Sequence, residues 1–182
     1  MRVLSVALGC VLVLASAREA ASASTTAPLT DAHVRAIMTD PQRHVRGVGA
    51  GMSSLIADGM RRSGTFAALV LALNKSSVIV YIESVRMMPT SIAGRLLLAA
   101  GPEGYRYLRI QVTGYPRSNE TIALVAHELR HAIEVAESPD VRDVASLIAL
   151  YRRIGHSTPG RHQYDTVAAQ DAGRTVRAEL VG

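Results

Sequence analysis

The stretch from Ser118 to Glu137 reads SNETIALVAHELRHAIEVAE. Ile122, Val125, Ala126, Leu129, Ala132, Ile133 and Ala136 recur at i, i+3, i+4 and i+7, which predicts one amphipathic α-helix with a continuous apolar stripe. Ser118 or Asn119 caps its start, and Glu120 puts a negative charge in the first turn, where the helix dipole favours it. His127 and His131 fall on the opposite face, and Glu134 continues their row. Such a stripe must be buried against other elements, and the rest of the chain has to supply them.

Working upstream, Ser77–Glu83 is rich in β-branched and aromatic residues and reads as a buried strand. Arg95–Ala100 and Tyr105–Thr113 flank the turn signal Gly101-Pro102-Glu103-Gly104 and read as a hairpin. Leu108, Ile110 and Val112 point to the core, and Tyr107, Arg109 and Gln111 point away. Met87-Met88-Pro89 reads as core and turn after the first strand. Earlier still, Thr30 or Asp31 caps a short helix to Met38, and helices are expected near Met52–Arg62 and Thr65–Leu73. Gly47, Gly49 and Gly51 read as a loop, without the preceding strand that a phosphate-binding turn requires. Downstream, Ser138-Pro139-Asp140 reads as the start of a helix that Gly155 ends, and a last helix is expected from Asp165 to Leu180. Helices, then strands, then helices make the class α+β.

The chain has 182 residues, enough for one domain, with a net charge of +5, 48% hydrophobic residues and 4% aromatic ones. Its core must therefore be aliphatic. The basic residues are almost all arginine, with Lys75 as the one lysine, and they are scattered. Nucleic-acid binding needs a basic stripe or patch, so that class is set aside. Met1-Arg2, the uncharged run Val3–Ala17 and the small-residue sites Ala15-Ser16-Ala17 and Ala21-Ser22-Ala23 predict a signal peptide over residues 1–23. The run is shorter than the roughly 20 residues a spanning helix needs, so no stable membrane insertion is expected after cleavage. The expected location is secreted or periplasmic. Cys10, the one cysteine, would leave with the signal, so any metal in the mature chain must be held by histidine and carboxylate.

His127-Glu128-Leu129-Arg130-His131 has the HExxH spacing. Imidazoles at i and i+4 project from adjacent turns of one helix face and can grip one Zn²⁺ together. Glu128, beside them, can take a proton from water that the ion has made acidic. The chemistry this predicts is metal-assisted hydrolysis, with His127 and His131 as metal ligands and Glu128 as catalytic base. The rival readings are a metal- or peptide-binding module without turnover, and a basic cell-envelope interaction protein in which HExxH is accidental and Arg130–Glu134 is a simple i, i+4 ion pair.

On this motif, and on the order of strands followed by the motif-bearing helix, the chain resembles the zincin metallopeptidases over roughly Val78 to Leu180. The resemblance implies a zincin-like fold, a small zinc peptidase with one ion, and a peptide or protein substrate. It also implies an edge strand, here within the Arg95–Thr113 hairpin, that pairs with the extended substrate. The domain plan is then a signal peptide over 1–23, a flexible lead with a short helix over 24–46, and a single metallopeptidase domain over 47–182. The metzincin continuation is absent: Glu134 stands in its glycine place and Glu137 in its third-histidine place. The gluzincin type takes a carboxylate from a later helix, often followed three residues on by alanine. Asp165-Thr166-Val167-Ala168 has that shape with Asp in place of Glu, which makes Asp165 the expected third ligand. A helix N-cap is the competing role for Asp165. Glu134, Glu137, Asp140 and Asp143 remain open as ligands, and an acid that is not a ligand can orient a ligand histidine. His156, His162, Tyr151 and Tyr164 are weaker candidates for stabilising an oxyanion. The oligomeric state is not legible.

Overall fold

The computed structural model describes residues 27–88, 92–99, 101–102, 104–114, 118–157 and 164–182. The expected signal peptide at residues 1–23, Cys10, Pro89 and His162 lie outside the described residues.

The chain opens with α1 (Asp31–Thr39), which Thr30 caps by accepting from the His33 N–H. A three-residue strand follows, β1 (Val45–Gly47), and then α2 (Gly49–Arg62). Ser63 caps α3 (Gly64–Asn74) through the Phe66 N–H. Next come β2 (Val78–Ser84), β3 (Gly94–Ala99) and β4 (Arg106–Val112). The helical end consists of α4 (Asn119–Ala136) and α5 (Val144–Ile154), the two-residue strands β5 (His156–Ser157) and β6 (Tyr164–Asp165), and α6 (Val167–Glu179). The fold is α+β, as the pattern of periodicities predicts. Among the described residues no helix is long and apolar enough to cross a membrane.

The main sheet has the order β1-β2-β4-β3. β1 and β4 run parallel to β2, whereas β3 pairs antiparallel with β4, from Gly94 opposite Val112 to Ala99 opposite Tyr107. Among the described residues, β3 is therefore an edge strand whose outer row of backbone groups has no strand partner. In β4 the alternation is as expected: Leu108, Ile110 and Val112 are buried and Arg109 is exposed.

Four expectations need correcting. Gly47 belongs to β1 rather than to a loop, so the boundary read between residues 46 and 47 falls inside a strand; a strand of three residues leaves no periodicity to detect. α2 starts early, running through Gly51. α5 starts at Val144 rather than at Ser138-Pro139-Asp140, because Asp143 and Ser146 form a reciprocal capping box that outcompetes the earlier cap signal. α6 starts at Val167 with Thr166 as its cap, so Asp165 sits in β6 and is not a helix cap. In addition, Met87 is 87% exposed and forms no part of the core.

The core is aliphatic with one buried phenylalanine, Phe66, and it gathers Val34, Val45, Ile56, Val80, Ile82, Ile110, Ile122 and Leu129. The apolar stripe of α4 is thus sunk between the sheet and α3 and α6. At its C-terminus, the buried Arg106 guanidinium donates to the Val135 and Ser138 carbonyls, each at 2.7 Å, and to Ala136 at 3.1 Å. The Val135 carbonyl also accepts from the Ser138 N–H, and that of Ser138 from the Val141 N–H, so a β4 side chain adds to the backbone bonds that close the end of α4. On its other flank, a Cβ added at Gly173 of α6 would already touch the Ala123 carbonyl oxygen and His127 Cβ at 3.4 Å. The two helices therefore approach as closely as small residues allow.

Candidate metal centre

α4 turns His127, Glu128 and His131 towards a cleft of about 790 Å³ between β3 and α5. Asp165 enters the same cleft from β6, where Thr166 N–H donates to Oδ1 at 2.7 Å and Gln170 donates to Oδ2 at 2.9 Å. Held this way, Asp165 Oδ1 lies 3.3 Å from His127 Nε2 and 3.6 Å from His131 Nε2. All three ligand-type atoms fall within 4.8 Å of one another.

These separations are longer than a good N–H···O bond of about 2.9 Å. They match the edge of a tetrahedron whose centre is roughly 2.0–2.1 Å from each corner, which is about 3.3 Å. The donor set of two imidazole nitrogens and one carboxylate oxygen suits a zinc-like cation, and three protein donors leave a fourth position for water or substrate. The residues present could therefore hold a divalent metal.

Glu134 takes the orienting role instead. Its Oε2 accepts from His131 Nδ1 at 2.8 Å, and its Oε1 accepts from the Thr166 hydroxyl at 2.7 Å. A carboxylate only accepts, so Nδ1 carries a proton, and in the neutral ring that metal binding requires Nε2 is left as the atom facing the cleft. The Tyr151 hydroxyl donates to the His131 carbonyl at 3.3 Å, and its ring meets the His131 ring edge-on at 5.2 Å. With its hydroxyl engaged there, Tyr151 acts as a clamp. Tyr164 lines the cleft and accepts from Arg152 at 3.3 Å, whereas His156 is exposed opposite Asp165 in the β5–β6 pairing. Glu137 is 60% exposed and faces Arg130; Asp143 caps α5.

The charges respond to this enclosure. Burial raises the Glu128 carboxyl to about 7, with the Asp165 charge adding to it and His131 opposing. Burial alone would depress His131, but the Asp165 and Glu134 carboxylates, helped by the Glu128 charge, lift it to about 9. Burial and the neighbouring His131 lower His127. Burial works against ionised Asp165, yet His131, Gln170 and His127 together hold it well below the ordinary carboxylate range. A buried carboxyl with a raised pKa beside residues that could hold a cation is a common mark of a functional site.

Sequence reasoning reached His127, Glu128, His131 and Asp165, and the structure brings all four to one cleft. It missed Gly94 of β3. A Cβ there would stand 2.6 Å from Glu128 Oε1, so any larger residue would displace the Glu128 carboxylate or the edge strand. An isolated glycine at the head of a strand pattern was the available signal. Compared with protein-family models, curated proteins and solved structures, the chain matches none.

Proposed function

We propose that the protein is a small zinc-dependent hydrolase that cuts peptide bonds, exported by the signal peptide read at residues 1–23 and similar in plan to the zincin metallopeptidases. One observation supports this reading: Asp165 Oδ1 lies 3.3 Å from His127 Nε2 and 3.6 Å from His131 Nε2, with the buried Glu128 carboxyl in the same cleft. When bound, the zinc ion supplies Lewis acidity, which polarises a carbonyl and makes water acidic enough to lose a proton near neutral pH.

The chain's own residues do the rest. Glu128 takes a proton from the attacking water as its oxygen bonds to the carbonyl carbon. The C–N bond then breaks, and Glu128 passes the proton to the departing amine nitrogen. Atoms balance: one water is consumed, and one carboxyl and one amino group appear. Glu134 and Tyr151 keep His131 fixed throughout, so no reorganisation is needed as charge develops. The outer edge of β3 offers backbone groups that align an extended substrate over the site.

Glu128→Gln tests the reading. The variant should keep stoichiometric zinc and lose at least about a thousandfold in peptide hydrolysis, because removal of the base leaves only binding and polarisation. If zinc-loaded wild type hydrolyses nothing and Glu128→Gln binds peptide equally well, the protein is a binding module rather than an enzyme.

A further inference from the structure

We infer that Thr166 is a positioning residue for the metal site: its backbone N–H fixes Asp165, and its hydroxyl fixes the carboxylate that orients His131, so that α4 and α6 are tied together behind the ligands. The inference rests on the metal-binding reading above and concerns how that site is held. Thr166 is 3% exposed. Its N–H donates at 2.7 Å to Asp165 Oδ1, the same oxygen that faces both imidazoles. Its hydroxyl donates to Glu134 Oε1 at 2.7 Å and accepts from the Ala169 N–H at 3.1 Å as the cap of α6. A hydroxyl has one proton to give, and the Ala169 N–H can only donate, so that proton is committed to Glu134.

Glu134 depends on that bond. Its Oε2 is taken by His131 Nδ1, and Arg130 Nε stays 4.0 Å from Oε1, beyond hydrogen-bond reach. Among the described residues Thr166 is thus the one hydrogen-bond donor to Oε1. Without it a buried carboxylate oxygen would be left unpaired, and the side chain would turn to find a donor, taking the His131 ring with it. The rest of α6 works in the same direction. Gln170 is four residues on, hence on the same helix face, and donates to Asp165 Oδ2 at 2.9 Å. Gly173, three further on, packs against His127, whose Cβ lies 3.4 Å from where a Cβ at Gly173 would stand. One row of α6, at i, i+4 and i+7, therefore meets Asp165 and His127 directly, and His131 through Glu134.

The test reads zinc affinity by chelator competition and ligand geometry from the visible spectrum of the cobalt-substituted protein, so it needs no turnover. Thr166→Val keeps the shape and removes the hydroxyl; it should weaken zinc about tenfold and change the cobalt spectrum. Thr166→Ser keeps the hydroxyl and should restore both. Valine also removes the α6 cap, and a cycle with Glu134→Ala separates the two roles. In the Glu134→Ala background Thr166→Val should cost no further zinc affinity, while the fall in melting temperature from the lost cap persists. Gln170→Leu leaves the cap and Glu134 alone and should also weaken zinc, which keeps the row testable should Thr166→Val fold poorly. Wild-type zinc affinity in Thr166→Val and Gln170→Leu, or an equal loss from Thr166→Val with and without Glu134, would overturn the inference and leave the metal reading intact. Wild-type protein that takes up neither zinc nor cobalt would overturn the metal reading. The positioning claim is then read from the metal-free protein by NMR: the His131 Nδ1–H should give a slowly exchanging imidazole resonance in wild type and Thr166→Ser but not in Thr166→Val. That resonance persisting in Thr166→Val would remove the claim as well.

Discussion

At the scale of single residues, the division of labour among carboxylates follows from where each is tethered. Glu134 shares α4 with His131, three positions on, so its side chain reaches the outer nitrogen of that ring and no further. Asp165 comes from a separate strand and can face both rings at once. Glu134→Gln should therefore weaken zinc binding about 10–100-fold without abolishing it, as measured by chelator competition. Asp165→Asn should weaken it far more. Equal losses for the two variants would mean that the roles have been assigned the wrong way round. The HExxH residues were legible in the sequence because both the motif and the helix period are local. Asp165 was reachable only through a resemblance, and its neighbour Thr166 shows why: the cap moved one residue and freed the aspartate for the cleft.

At the scale of elements, β3 and α4 must lie almost in contact for Glu128 to sit under the edge strand. Gly94 is the point of closest approach, and Gly94→Ala would push a methyl into Glu128 Oε1. That substitution should cost at least about tenfold in kcat, since small displacements of a catalytic group are expensive, while leaving zinc stoichiometry unchanged. A variant with full activity would show that the strand yields easily and that Glu128 needs no fixed position. The helices with strong periodicity and local caps, α3 and α4, were legible to within a residue or two. β1 was not, because three residues carry no pattern, and neither was the parallel pairing of β2 with β4, which depends on segments far apart in sequence. The start of α5 was misplaced because two cap signals compete within six residues, and the reciprocal Asp143–Ser146 box prevails over the earlier one.

At the scale of the whole molecule, the candidate metal centre concentrates titratable groups beside a small aliphatic core, and stability must depend on pH. In zinc-free protein, His131 is raised from 6.5 to about 9. A raised imidazole pKa means that the folded state holds a proton the unfolded state has released, so this contribution is complete below about pH 6.5 and disappears as pH climbs through about 9. Glu128, raised to about 7, loses its contribution in the same direction but earlier, as pH passes through about 7, so His131 is the group that still changes as pH approaches 9. Urea midpoints of chelator-treated protein should therefore fall across that window. Zinc should restore them at the alkaline end, because the metal replaces the proton on His131. A midpoint that rises with pH in the absence of metal would contradict the charge balance described for the site.

The most direct measurement is metal content. Purified protein equilibrated with zinc and then desalted should carry one zinc per chain, and His127→Ala, His131→Ala and Asp165→Ala should each lose it while retaining helical content. Wild-type protein that emerges without zinc, or an Asp165→Ala variant that binds the ion as tightly as wild type, would contradict the account at its centre.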